Sequence, residues 1–354
     1  MPPTGPAADG LSAEAAIIRM SVGFWITQAL YVVAELGVAD LLDRDTPRPV
    51  GELAAEAGAA EDPLYRVLRA LAGLGLVREH SRQHFTLTDR GTPLRSDSPD
   101  TVRSTLLVTG EEQYQAWGSF LHNVRTGGTA FEHRFGQSVF DYYRDRPRES
   151  ARFNQAMREL TREQGHAVAA AYDFSDVHVV LDVGGGNGSL LSAILTRHPH
   201  LAGILFDQEI AVEQARQGAG GPLPNCRFVA GDFFDKVPVG ADLITVKHTV
   251  HNWPDEDAVR ILRNCRDALS PTGRILVLET VVGPADEPSF GTLLDLQMMA
   301  LPGGRVRTEA EHARLLDRAG LRLSRVVRLP AVDIVEAVPK ESPAHEHTRR
   351  EHTR

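Results

Sequence analysis

The stretch "VVLDVGGGNGSLL", residues 179–191, decides how the chain must fold. A short apolar run carrying Asp182 ends in glycines at 184, 185, 186 and 188, and Leu190 and Leu191 then open a helical pattern. A strand that passes through a glycine turn into a helix is the first unit of a doubly wound sheet. In such sheets ligands lie beyond the carboxyl ends of the strands, and glycines let the backbone come close to them. A dinucleotide fingerprint would need a glycine at 189, where this chain has Ser189, and the turn holds no basic residue for a pyrophosphate. The turn suits a cofactor with an amino-acid head and a nucleoside but no phosphate.

Working outward, the same alternation of apolar strand and helix continues. "HVVLDV", "AGILFD", "CRFVAG", "ADLITV" and "RILVLE" read as successive strands of a parallel sheet covered on both faces. "LRLSRVVRLPAVDIVEAV" adds two strands turned at Pro330, expected as antiparallel edge additions. The second strand of a nucleoside-binding unit should end in an acid for the ribose hydroxyls, and "AGILFDQ" ends at Asp207, followed by Gln208. The third leads into "AGDFFD", where Asp232 can bond an adenine amino group and Phe233 can pack on the ring.

Towards the N-terminus, residues 12–36 read as amphipathic helices with large side chains, Phe24, Trp25, Leu30 and Tyr31, that must pack on the chain's own core or on a second subunit. Residues 50–90 read as helix, turn, helix and a hairpin, "LVREH" with "HFTLT", the winged-helix pattern that in many proteins enters DNA. Between Leu36 and Arg95 eight Arg and no Lys face nine Asp or Glu, too little positive charge for a groove reader. The net charge of −9 points the same way, so no nucleic-acid partner is expected. Two cysteines, Cys226 and Cys265, build neither a disulfide framework nor a four-thiolate metal site; no metal is expected. With no signal-peptide pattern and no clean apolar span, the chain reads as soluble and cytoplasmic, with no membrane partner. The expected divisions are 1–105 (helical and winged-helix dimerisation domain), 106–172 (helical linker), 173–339 (cofactor-binding catalytic domain) and a disordered polar tail, 340–354.

"LDVGGGNGSLL", "GDFF", "HNWPDEDAVRILRNCRDAL", "FNQAM" and "GGRVRTEAEHARLLDRAGL" together make the chain resemble the S-adenosylmethionine-dependent O-methyltransferases of the plant caffeic-acid type. The resemblance is strongest to the bacterial branch that decorates aromatic polyketides and other natural products, and it covers nearly the whole chain. It implies an α/β fold: a Rossmann-like doubly wound methyltransferase sheet with an antiparallel edge strand, plus a mainly helical N-terminal winged-helix dimerisation domain. It also implies a homodimer, a small aromatic substrate, and S-adenosyl-L-methionine converted to S-adenosyl-L-homocysteine. By the resemblance Gly184 and Gly186 meet the methionine part, and Asp182, the acid inside the strand end, is expected in the same cofactor site. Asp207 takes the ribose, Asp232 and Phe233 the adenine, and Lys247 lines the same pocket, where Gln208 is also expected. Phe153, Asn154 and Met157 match the family's substrate wall. Apart from the resemblance, Gln297 and Met298 are expected to line an apolar slot, since adaptable methionines suit bulky planar substrates, and Asn252 is expected to border the acceptor.

In "VKHTVHNWPDED", residues 246–257, His251 matches the family's catalytic base, and His248 reads as packing or backbone hydrogen bonding. The need for a base is physical. A phenol with a pKa near 10 is ionised in only about one molecule in a thousand at pH 7, a deficit of about 4 kcal/mol that a positioned imidazole can offset. Glu279, in "LVLETVV", matches a family glutamate flanking the histidine. Two other carboxylates of the family pattern are replaced, by Val306 in "GGRVRT" and by Asn252. Either Glu279 alone suffices, or the acceptor hydroxyl is acidic, or transfer runs mainly by proximity. An alternative that keeps the cofactor is non-methylating chemistry, a hydroxylation or a pericyclic step.

Overall fold

Short apolar helices open the chain: Ala13–Ser21, capped by the Ser12 hydroxyl, and Gly23–Glu35. The computed structural model describes residues 12–81, 83–218, 221–284 and 289–340; the expected disordered tail, from residue 341 on, lies outside them. The two helices leave Ile17, Ile18, Met20, Phe24, Trp25 and Ile26 exposed. By length and composition alone the Ala13–Glu35 stretch is apolar enough to cross a membrane.

The winged element is present as read. Strands β1 (Arg48–Pro49), β2 (Val77–His80) and β3 (His84–Leu87) form an antiparallel sheet in the order β1-β3-β2. Helices Val50–Ala57 and Glu61–Gly73 accompany it, and Leu64, Leu68 and Leu71, spaced to share one helix face, join Leu53 and Phe85 in its core. Arg66 pairs with Asp62 and Arg69 lies over the Tyr65 ring, so both arginines of that helix are engaged locally.

The chain divides into two compact units, Met1–Leu160 and Thr161–Arg354, and the division falls inside the long helix Pro147–Ala171.

The second unit is built on a seven-stranded sheet. Its strands are β4 (Val179–Val183), β5 (Ala202–Asp207), β6 (Cys226–Ala230), β7 (Ala241–Lys247), β8 (Leu269–Glu279), β9 (Leu321–Val327) and β10 (Asp333–Pro339). The order is β6-β5-β4-β7-β8-β10-β9, with the first five parallel and β10 antiparallel to both neighbours. Central strands covered on both faces need apolar residues at consecutive positions, and Val180, Leu181, Val183, Leu243, Ile244 and Val246 are all buried. The chain winds outward from β4 through β5 to β6, then returns to place β7 on the other side of β4. That reversal opens a crevice between the tips of β4 and β7, the place where such sheets take ligands.

Candidate active site

Both sequence signals converge on this crevice. The glycine turn leaves β4, and the turn bearing His248 and His251 leaves β7, its hydrogen-bonded neighbour. The two turns touch: a Cβ on Gly184 would stand 2.7 Å from Thr249 Oγ1. Gly184 and Gly186 have φ of 69° and 56°, left-handed values that favour glycine. Beside Gly186 a Cβ would meet nothing within 4 Å, so the backbone there faces open space.

The acids frame that space. Asp207, at the tip of β5, accepts from the Gly186 N–H at 2.8 Å and from the Gln208 N–H at 2.6 Å, while burial raises its proton affinity. Asp182 Oδ1 accepts from Thr245 Oγ1 at 2.7 Å, and its buried Oδ2 has no partner. Burial pushes Asp182 up to about 6 against the pull of that hydroxyl and of Lys247, and burial lowers Lys247 to about 8 against the pull of Asp182. A buried carboxylate oxygen without a donor is costly, and a cationic amino group beside the turn would satisfy it. The orphaned Asp182 oxygen, the open side of Gly186 and the strand-tip Asp207 therefore fit the amino-acid head and ribose of S-adenosylmethionine. Asp232 is exposed, and its Oδ1 accepts from Phe234 N–H; Phe233 and Phe234 both pack edge-on against Trp253. Asp207→Ala should weaken S-adenosylhomocysteine binding about tenfold or more, the worth of one or two hydrogen bonds to a charged group. An unchanged affinity by calorimetry would take the β5 tip out of the site.

His251 is buried, 5% exposed, on the three-residue helical turn Val250–Asn252. Its backbone N–H donates to Glu279 Oε1 at 2.8 Å. The glutamate thus meets the histidine through the main chain, not through the ring. Its carboxyl, pushed up to about 7 by burial, is engaged by the backbone of Thr249, Val250 and His251. Through those bonds Glu279 holds the turn that carries His251. The ring's Nδ1 is buried without a hydrogen-bond partner. Val306 is itself buried, and its backbone N–H donates to Asp295 Oδ1 at 2.8 Å.

Sequence reasoning missed Arg307. It is 1% exposed and donates to Asp255 Oδ1 at 2.7 and 3.1 Å, to the Trp253 carbonyl at 3.1 Å and to the Arg305 carbonyl at 3.2 Å. It clamps the turn that carries His251. Nothing in "GGRVRT" marks one of its two arginines as fully buried. Gly304 lies so close that a Cβ would stand 2.0 Å from the His251 carbonyl oxygen. The Gly304 N–H in turn donates to the Met298 carbonyl, so the end of helix Phe290–Ala300, with the partly buried Gln297 and Met298, is tied to the histidine turn. Asn252 Nδ2 donates to the His248 carbonyl at 2.9 Å. Phe153, Asn154 and Met157 lie in the first unit, partly buried, with Phe153 stacked on Tyr143 at 4.3 Å.

Burial first, then the charges of Arg307, Lys247 and His312, push His251 down to about 3. Its proton affinity in the fold lies below that in the unfolded chain. The stability this brings is complete above pH 6.5 and is lost as pH falls toward 3. Compared with His251→Gln, the native chain should lose roughly 2–3 kcal/mol between pH 6.5 and 4.5. Denaturant melts of both proteins at the two pH values measure this difference. Parallel curves would mean that the ring protonates inside the fold.

Comparison with known proteins gives this arrangement its context. Residues 117–322 match an O-methyltransferase domain and residues 18–95 an O-methyltransferase dimerisation domain. The second stretch includes most of the exposed apolar side chains of the first two helices. A phenazine O-methyltransferase of Lysobacter antibioticus is 43% identical over 326 residues, covering 91% of this chain and 95% of that protein. An O-methyltransferase from neocarzinostatin biosynthesis, solved with S-adenosylmethionine and 2-hydroxy-5-methyl naphthoic acid, is 33% identical. It superposes with a TM-score of 0.79 over 91% of this chain and 98% of its own. A phenazine-1-carboxylate N-methyltransferase of Pseudomonas aeruginosa is 30% identical, covering 90% of this chain and 95% of that protein. The fold, the cofactor and the dimeric organisation read from the sequence are borne out, and the chain belongs to the S-adenosylmethionine-dependent O-methyltransferases of aromatic natural products, homodimers joined through an N-terminal dimerisation domain.

Proposed function

We propose that this enzyme methylates a ring hydroxyl of a small aromatic natural product, with His251 removing the hydroxyl's proton as the new O–C bond forms. The observation that carries this reading is a buried histidine, uncharged at neutral pH, on a turn packed against the glycine turn of the cofactor cradle. When bound, S-adenosylmethionine supplies a methyl group already activated by its positive sulfur. The protein's own part is to align the acceptor oxygen and to accept the proton, the latter worth about two to four orders of magnitude in rate. With Nδ1 sealed inside, Nε2 is the nitrogen assigned to the acceptor. Asp182, Gly184, Gly186, Asp207, Gln208, Asp232, Phe233 and Lys247 are proposed to hold the cofactor. Phe153, Asn154, Met157, Asn252, Gln297 and Met298 are proposed to border the acceptor.

So weak a base suits an acidic hydroxyl, beside a ring carbonyl, carboxyl or ring nitrogen, better than a simple phenol. The test is to incubate the enzyme and S-adenosylmethionine with 1-hydroxyphenazine, 2-hydroxy-1,4-naphthoquinone and 2-naphthol. Mass spectrometry then reads the gain of one methylene, and NMR of the product locates it on oxygen. Transfer only to nitrogen would favour a second reading, N-methylation, which needs no base and which the phenazine N-methyltransferase relative performs by its name. Transfer to none of the acceptors would count against methylation of such rings.

A further inference from the structure

The helical run from Arg103 to Trp117 is interrupted at Thr109–Gln113 by one wide π turn. Such turns are rare and gather at functional sites. Helix Gly23–Glu35 braces this one. Gln28 Nε2 donates to the Gly110 carbonyl at 2.8 Å, and a Cβ on Gly110 would stand 2.3 Å from Tyr31 Cβ. The turn presents two consecutive acids to a single cation. Arg152 Nη1 donates to Glu111 Oε2 at 2.7 Å, and Nη2 donates to Glu112 Oε2 at 2.8 Å. In an ordinary helix consecutive side chains do not share a face.

Glu112 is the node of this cluster. It is 2% exposed; Arg152 takes one of its oxygens, and the Tyr143 hydroxyl donates to the other, Oε1, at 3.0 Å. Burial raises the proton affinity of both the Glu112 carboxyl and the Tyr143 phenol. Desolvation cancels much of the attraction in a buried ion pair, so stability is a weak reason for having one. What this one fixes is a ring. Tyr143, itself buried, stacks on Phe153 with centroids 4.3 Å and planes 23° apart, and meets Tyr142 edge-on at 5.6 Å. Arg152 and Phe153 are neighbours on helix Pro147–Ala171, so both of the bonds to Glu112 lead to the same short stretch of chain.

We propose that Glu112 is a positioning residue for the aromatic acceptor: through the Tyr143 hydroxyl and Arg152 it sets the place and plane of Phe153, the ring on which the acceptor packs. The inference rests on the reading of Phe153 as part of the acceptor wall. Aromatic pairs tolerate offset and tilt, so stacking alone leaves a ring free to drift. A hydrogen bond at the far end of the Tyr143 ring removes that freedom, because the bond weakens steeply when its angle or length changes. Methyl transfer needs the acceptor oxygen held to within about 1 Å, and a wall ring free to tilt loosens its grip on a planar acceptor. Glu112 acts through its two partners and not on the reacting atoms.

The test uses the full-length protein with S-adenosylhomocysteine bound and 4-fluorophenylalanine in place of phenylalanine. Phe153→Leu identifies the Phe153 fluorine signal. Glu112→Gln, which turns one of its two acceptor atoms into a donor, should shift or split that signal. With 1-hydroxyphenazine, Glu112→Gln and Tyr143→Phe should each raise KM about fivefold, with kcat and cofactor affinity within about twofold. The two changes should not add, because both act through one bond, so the double variant should match the worse single one. A purely structural role would lower Tm and leave the acceptor KM native. Tyr143→Phe keeps the ring and drops only the hydroxyl, so it decides the matter should the charge exchange prevent folding. An unmoved Phe153 signal in Glu112→Gln, or a native KM in Tyr143→Phe, overturns the proposal. The fluorine signal is read without acceptor or methyl transfer. A moved signal with a native KM therefore places the failure in the acceptor-wall reading, and an unmoved one places it in Glu112.

Discussion

His251→Gln should lower kcat toward 1-hydroxyphenazine by about a hundredfold or more, while S-adenosylhomocysteine binds within about threefold of its native affinity. The reasons for the split are local. The glutamine amide cannot take a proton from a hydroxyl, so the rate loses the contribution of a positioned base. The backbone N–H that meets Glu279 is untouched by the exchange, and the cofactor cradle is built on other turns. Stopped assays for kcat and calorimetry for binding separate the two quantities. A variant with near-native kcat would reduce His251 to packing beside His248.

Arg307→Met should cost about 3 kcal/mol of stability and lower the Tm of its unit by roughly 6–12 °C. The side chain is fully buried, and methionine can fill much of its volume but none of its bonds. The loss falls on the Trp253 and Arg305 carbonyls and on the doubly bonded Asp255. Asp255 remains 43% exposed, so water recovers part of its share, which holds the figure below the cost of breaking a wholly buried pair. Activity should fall as well, since the turn that aims His251 loses its clamp, whereas His251→Gln should leave Tm at neutral pH nearly unchanged. Differential scanning calorimetry decides the matter. A Tm within about 2 °C of native would mean that the carbonyls find other donors and that the clamp is not needed.

The two substitutions divide a site that the sequence presents as two separate motifs, "HNWPDED" and "GGRVRT". "HNWPDED" announces a histidine beyond the β7 tip, and the crevice at that tip follows from strand order. Whether the histidine is held by Glu279, by a second carboxylate or by neither could not be read from it. The family's glutamate is present at 279, yet its oxygens serve backbone N–H groups. His248, expected as packing or backbone bonding, does both, and it further carries a ring bond to a glutamine 84 positions away.

What the sequence determined by itself was the local grammar: apolar runs of strand length, the turn at Gly184–Gly188, the acid closing β5, and the helix–turn–helix with its hairpin. Those features depend on neighbours a few residues apart, through backbone conformation and alternating burial, so they are written in order along the chain. Only the tertiary structure decided which polar groups end up buried and whom they meet. Arg307 bonds to Asp255 across 52 positions, His251 to Glu279 across 28 and Gln164 to Ala331 across 167. A buried polar group is tolerated only where a partner stands within bonding distance, and the packed fold alone brings such partners together.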